Sequence, residues 1–234
     1  MTPSSPTRRF SRFPVQVPIR CQPQAGASSP PASGWTRNLS EGGACLELNE
    51  VLKTGTRVRL WLFTEGGSFP VDAHVVWKAP EPSGSTLHGV AFAALTPAQV
   101  EALRHLLAAA TATTRADPRL PVNHPITCRL PDPSASVLVG ETANVSRGGL
   151  ALRLSLALPI GTPVQFSLQS PQGPITGTGE VVWAAADPGG AGQRVSHGIR
   201  FTALGWAHTW SLALLVTGTG DDPSGQNHDA LPAP

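Results

Sequence analysis

The chain states one pattern twice. Arg12-Phe-Pro-Val-Gln-Val-Pro-Ile-Arg-Cys21 and Arg119-Leu-Pro-Val-Asn-His-Pro-Ile-Thr-Cys128 agree at six of ten positions, and Asn38-Leu-Ser-Glu-Gly-Gly-Ala-Cys-Leu-Glu-Leu48 returns as Asn144-Val-Ser-Arg-Gly-Gly-Leu-Ala-Leu-Arg-Leu154. Val75-Val-Trp77 returns as Val181-Val-Trp183, and His88-Gly-Val-Ala-Phe92 as His197-Gly-Ile-Arg-Phe201. The separation stays between 106 and 109 residues. Solenoid units run to about 20–50 residues, so this period describes two whole domains of ordinary size.

Composition narrows what each domain can be. Hydrophobic residues make up 40% and charged residues 14%, with a net charge of +2, so the chain can build cores and does not read as disordered throughout. The 24 glycines and 24 prolines favour many turns over long helices, and hence small all-β units. No apolar run reaches the roughly 20 residues of a membrane helix. The charged opening Met1-Thr-Pro-Ser-Ser-Pro-Thr-Arg-Arg has no apolar stretch behind it to make a secretory signal, so the expected location is cytoplasmic. Cys21, Cys45 and Cys128 lack zinc-site spacing; Cys21 and Cys128, at equivalent repeat positions, read as small buried hydrophobes.

Strand candidates in the first half are Val15 to Cys21, Gly34 to Leu39, Ala44 to Leu48, Arg57 to Phe63, Phe69 to Trp77 and His88 to Ala93. Those in the second are Ile126 to Leu130, Val137 to Val145, Leu150 to Leu154, Pro163 to Leu168, Ile175 to Trp183 and His197 to Phe201. Short strands separated by turn clusters suggest a barrel or a sandwich. A closing helix follows each set. Thr96 as N-cap, Pro97 at the first helical position and Gln99 at the third predict a capping-box start, with Val100, Leu103, Leu106 and Leu107 on the apolar side. The second helix is predicted over Trp206 to Val216. The expected domains are residues 1–110 and 111–220, with Thr111 to Asp117 as linker and 221–234 as a disordered tail.

Two motifs carry chemistry, and each occurs once per half: Arg-x-x-x-Arg (Arg8 and Arg12; Arg115 and Arg119) and Asn-x-Ser-x-x-Gly (Asn38, Ser40, Gly43; Asn144, Ser146, Gly149). Paired arginines in an extended, Pro-flanked arm present two planar forks able to grip phosphate or the O6/N7 edge of guanine bidentately. Asn and Ser at alternate positions share one face of an extended segment. An amide supplies donor and acceptor together, which suits a base edge. A chance match to the second motif is expected in on the order of a tenth of such chains; two matches, each downstream of a double arginine, are not a chance pattern.

This combination resembles the PilZ family, bacterial receptors for the second messenger cyclic di-GMP, whose signature is Arg-x-x-x-Arg followed by Asp/Asn-x-Ser-x-x-Gly. The resemblance covers both halves. It implies an all-β protein with short closing helices: two tandem six-stranded antiparallel barrels, each with an arginine arm before its first strand. The first arm is N-terminal and the second is the interdomain linker. By the same resemblance Arg8, Arg9, Arg12, Arg115 and Arg119 would grip guanines and phosphates, and Asn38, Ser40, Gly43, Asn144, Ser146 and Gly149 would contact a guanine and the ligand backbone. The arms differ: Ala116 stands where the first has Arg9, and Asp117 dilutes the second arm's charge, so weaker binding is expected there.

The implied function is a non-enzymatic receptor with cyclic di-GMP as its ligand, no cofactor and no metal, which relays the signal to an unidentified partner protein. Binding would order the arms, and binding at the linker arm would reorient the two domains. The alternative is a protein–protein interaction module of the same fold with weak or no nucleotide binding. Nucleic acid is not an expected partner, because no broad Lys/Arg face or aromatic ladder is visible. No Gly-x-Ser-x-Gly elbow, P-loop or duplicated carboxylate pair supports an enzyme. Trp77 and Trp183 are expected to be buried packing residues, and His88 and His197 structural ones.

Overall fold

The computed structural model describes residues 10–24, 31–112, 117–132, 134–186 and 194–218. In the first half, β1 (Pro18–Pro23), β2 (Ala32–Ser40), β3 (Gly43–Leu48), β4 (Arg57–Thr64), β5 (Gly67–Pro80) and β6 (Thr86–Phe92) pair antiparallel in the order β1-β2-β3-β6-β5-β4, and β4 returns to β1. In the second half a two-residue strand β7 (Leu120–Pro121) precedes β8 (Pro125–Arg129), β9 (Leu138–Ser146), β10 (Gly149–Leu154), β11 (Pro163–Leu168), β12 (Ile175–Ala186) and β13 (Val195–Ala203). These six close in the same order, and β7 adds to the edge of β9. The architecture is therefore two closed six-stranded barrels rather than a sandwich, and closure pairs the sheet edges that short strands would otherwise expose.

Side-chain alternation fills each barrel. Ile19 and Cys21 on β1, Val58, Leu60 and Leu62 on β4, and Val71, Ala73 and Val75 on β5 meet in the first interior. Ile126, Cys128, Val164, Phe166, Leu168 and Val181 do so in the second. The two cysteines are fully buried, and burial pushes their thiols up to about 12 for Cys21 and about 11 for Cys128. They behave as the small hydrophobes the sequence predicts.

The equivalent histidines are structural as well. His88 and His197 are fully buried, and each accepts on Nε2 a backbone N–H, from Leu52 and from Leu158, both at 3.0 Å. Burial is the main cause that holds each imidazole below its usual pKa of 6.5, in keeping with a neutral ring whose Nε2 is an acceptor.

Helix α1 (Pro97–Ala112) starts with the predicted capping box: Gln99 N–H donates to Thr96 Oγ1 at 3.3 Å, and Thr96 N–H donates to Gln99 Oε1 at 2.8 Å. Leu103 and Leu107 seat it on the first core. The helix extends through Thr111 and Ala112, into the expected linker. The proposed tail, 221–234, lies outside the described residues.

Helix α2 (Trp206–Gly218), predicted as the closing helix of the second unit, does more than close it. It packs on β2 and β1 of the first barrel as well as on β12 of its own. Trp35 of β2, fully buried, joins the second core beside Leu212, Ala213, Leu215 and Val216, and its Nε1 donates to Thr209 O at 2.9 Å. Arg20 donates to Thr217 O at 2.5 Å, and Ser33 and Thr217 share a hydroxyl hydrogen bond at 2.9 Å. The helix is apolar on more than one side because both barrels cover it. Among the described residues no helix is long and apolar enough to cross a membrane.

A candidate ligand site built twice

Each arginine arm is fastened to its barrel by one buried threonine. Thr36 accepts Val17 N–H at 2.8 Å and donates to Val15 O at 2.6 Å; Thr142, its repeat equivalent, accepts His124 N–H at 3.0 Å and donates to Val122 O at 2.8 Å. Beyond that anchor the arm makes a two-way backbone bridge. Phe13 and Leu39 exchange N–H···O bonds of 2.9 Å, and Leu120 pairs with Val145 in the same register. Phe13 follows Arg12 and Leu39 lies between Asn38 and Ser40, so the bridge delivers the second arginine of the motif to the polar segment. Arg119 is delivered beside Asn144 and Ser146 in the same way. Arg12 is exposed and Arg119 half-buried. Arg8, Arg9 and Arg115 lie outside the described residues.

The amide is turned outward by a bulge. The β2–β3 register skips Arg37 between Thr36 and Asn38, and the β9–β10 register skips Ala143 between Thr142 and Asn144. Thr36 faces the interior, so strict alternation would point Asn38 inward too; one extra residue reverses it. Asn38, Cys45, Gly89 and Trp77 then form a single lateral row across β2, β3, β6 and β5. The second barrel repeats the row as Asn144, Ala151, Gly198 and Trp183. A second bulge, at Val76 and at Val182, turns each tryptophan outward from the other end.

Trp77 is 37% exposed, so the expectation of a buried packing residue is corrected. Its ring lies across Gly89, where a Cβ would come within 1.9 Å of Nε1; Trp183 lies across Gly198 with the same 1.9 Å separation. The physical reason is the bulge, which strand periodicity alone does not reveal. The result is a shallow trough roughly 14 Å wide, three strand spacings, with an amide at one side, an indole at the other and a small residue in the floor. The charges of Arg12 and Arg37 act on the Cys45 thiol in that floor, against the dominant effect of burial.

Ser40 and Ser146 close the β2–β3 and β9–β10 turns by donating to Gly43 O at 3.0 Å and Gly149 O at 3.2 Å. The glycines meet the neighbouring strand: a Cβ at Gly43 would stand 2.2 Å from Val90 O, and one at Gly149 2.3 Å from Ile199 O. The asparagines are differently placed. Asn38 Oδ1 and Asn144 Oδ1 are both buried with no hydrogen-bond partner among the described residues. A buried unpaired acceptor is uncommon and costly. The two stand at equivalent repeat positions.

The copies differ in what surrounds the turn. In the first, the Phe10 ring covers Gly42, and Glu41 pairs with Arg104 of α1 at 3.3 Å. In the second, Asp117 stands in place of Phe10 and Arg147 in place of Glu41. Asp117 Oδ1 accepts Gln16 N–H from the first arm at 3.0 Å. Burial raises the Asp117 pKa, while that hydrogen bond and the Arg147 charge oppose the rise. Arg147 reaches the first barrel and pairs with Glu47 at 2.5 Å. The second site therefore lies at the barrel–barrel boundary. A cavity of about 630 Å³ opens there between the β4–β5 turn, α1 and the second arm, lined among others by Glu65, Phe69, His105, Asp117 and Arg119. Arg119 N–H donates to Glu65 Oε1 at 3.1 Å.

Sequence reasoning gave Trp77 and Trp183 a packing role only and did not single out Thr36, Thr142 or Arg147. The duplicated Val-Val-Trp and the Thr two residues before each Asn were available signals. Arg147 had none, because its partner is 100 residues away.

The sequence model of a family described as PilZ domain matches residues 6–109 and again 113–205. No curated protein sequence matches the chain. Among solved structures it is similar to the PlzA protein of Borreliella burgdorferi in complex with c-di-GMP, at 11% identity over 89% of this chain and 94% of that one, with a TM-score of 0.42. It is also similar to the PilZ domain of YcgR from Escherichia coli with c-di-GMP (18% identity, 45% and 92% covered, TM-score 0.37) and to the Bacillus subtilis inhibitor of motility MotI/DgrA (9%, 88% and 96%, 0.38). The family assignment rests on the sequence match, which spans both halves.

Proposed function

This chain belongs to the PilZ family with one domain in each half, and from that premise we propose that it is a non-enzymatic receptor that binds cyclic di-GMP at one site per barrel. The observation that carries the proposal is the repeated juxtaposition of an arginine arm, bridged at Phe13–Leu39 and at Leu120–Val145, with a buried asparagine acceptor that has no partner among the described residues. Guanine N1–H and N2–H are donors that fit such an acceptor, arginine forks fit phosphate and the guanine O6/N7 edge, and the outward indole offers a flat wall for a base. Arg8, Arg9, Arg12, Asn38, Ser40 and Gly43 form the first site. Arg115, Arg119, Asn144, Ser146 and Gly149 form the second.

Loading the second site acts on the linker, so in this reading it changes how the barrels meet and passes the signal to a partner protein. Calorimetric titration of the full chain with cyclic di-GMP tests the receptor. Two events are expected, one lost in Arg12→Ala and the other in Arg119→Ala. Absence of heat in the wild type would leave the barrels as a protein-interaction module. Small-angle scattering with and without ligand tests the relay; an unchanged profile at saturation sinks it.

A further inference from the structure

Arg147 occupies the position between the site serine and the Gly-Gly turn, where the first copy has Glu41. It is 13% exposed, and its Nη2 lies 2.5 Å from Glu47 Oε2 on β3 of the first barrel. The guanidinium sits 5.9 Å above the Trp35 ring, within the field of Asp117. Its Nη1 is buried with no partner among the described residues. A single carboxylate therefore leaves part of this fork unused, whereas a phosphate diester can accept from both nitrogens at once.

Glu47 does not depend on Arg147. It is 2% exposed, and it also holds Arg37 Nε at 3.0 Å and accepts Ser85 Oγ–H at 3.0 Å. Removing the only partner of a buried charge is strongly unfavourable. Here the carboxylate keeps one guanidinium and one hydroxyl after Arg147 departs, so the exchange costs much less than breaking an isolated pair. The arrangement is one carboxylate shared by two arginines, one of which is rooted in the second site.

We propose that Arg147 is a further ligand-binding residue of the second site, held by Glu47 of the first barrel until a phosphate of the bound dinucleotide takes its place. This rests on the receptor reading above and adds the contact that couples loading of the second site to release of the first barrel. Glu47 is then a competitor for Arg147: it weakens second-site binding and holds the barrels together at that point.

The two ends of the ion pair separate this from a merely structural bond. In an Arg12→Ala background, which silences the first site, the full chain is titrated with cyclic di-GMP as wild type at these positions, as Glu47→Gln and as Arg147→Gln. Glu47→Gln should tighten the remaining event about tenfold by freeing the guanidinium, and Arg147→Gln should weaken it at least tenfold, although both break the same bond. Shifts in the same direction, or none, overturn the proposal. If Glu47→Gln fails to fold, Glu47→Asp, which withdraws the carboxylate by one methylene, should tighten the event in the same sense. No binding event in any background defeats the receptor reading itself. Two events in the wild type with the charge variants moving together defeat only the role of Arg147.

Discussion

Trp35 donates its indole N–H to Thr209 O at 2.9 Å, and with that bond a side chain from a strand of the first barrel becomes part of the second barrel's core. The two PilZ domains of this chain therefore share a buried seam, with α2 between them.

Trp35→Phe keeps most of the apolar volume and removes the N–H donor. The expected cost is about 1–3 kcal/mol, the range of a lost buried hydrogen bond plus a small packing defect. Urea unfolding of the full chain should show a lower midpoint. A change within about 0.5 kcal/mol, the scatter of ordinary surface substitutions, would mean the seam contributes little.

Thr36→Val is nearly isosteric and strands Val17 N–H and Val15 O in a buried place, at a cost of about 1–3 kcal/mol. Because this threonine anchors the first arm, the calorimetric event lost in Arg12→Ala should weaken while the other is retained. Thr142→Val should do the reverse. Equal effects of each substitution on both events would contradict site-by-site anchoring.

His88 and His197 are held neutral in the fold, with pKa values lowered by burial from the usual 6.5. The unfolded chain takes up protons first as pH falls, so their contribution to stability is full above pH 6.5 and is lost below it as pH falls through the lowered folded values. Urea midpoints measured between pH 7.5 and 5.5 should decline. Paired His88→Gln and His197→Gln substitutions, which keep an acceptor for Leu52 N–H and Leu158 N–H, should flatten the decline, and an unchanged slope would assign it to other groups.

Gly198→Ala places a methyl group within 1.9 Å of Trp183 Nε1, so the ring must leave the floor of the second trough. Intrinsic fluorescence should change. Cyclic di-GMP binding at the second site should weaken by about 1–3 kcal/mol if the indole stacks on a base, with the first-site event intact. Full retention of both affinities would show that Trp183 has no part in binding.

Much of this molecule was legible from local pattern. Period-2 alternation and turn clusters located the six closing strands of each barrel to within a few residues but not the two-residue β7, and Thr96, Pro97 and Gln99 marked the start of α1. The duplicated motifs also identified the segments that the fold brings together: Arg12 with Asn38 and Ser40, Arg119 with Asn144 and Ser146. The outward turn of Trp77 escaped because a bulge at Val76 exists only as a register between two strands. A run such as Val75-Val-Trp77 reads equally well as unbroken strand.

By itself, then, the sequence determined the domain count, the strand content and the composition of the two polar ledges, because these depend on residues close in the chain or on the repeat. Tertiary structure alone decided that α2 serves both barrels and that Arg147 of the second barrel is held by Glu47 of the first. Those relations join residues 100 or more positions apart. Packing and charge pairing across such a separation leave no periodicity along the chain, so they become visible only when both barrels are folded and in contact.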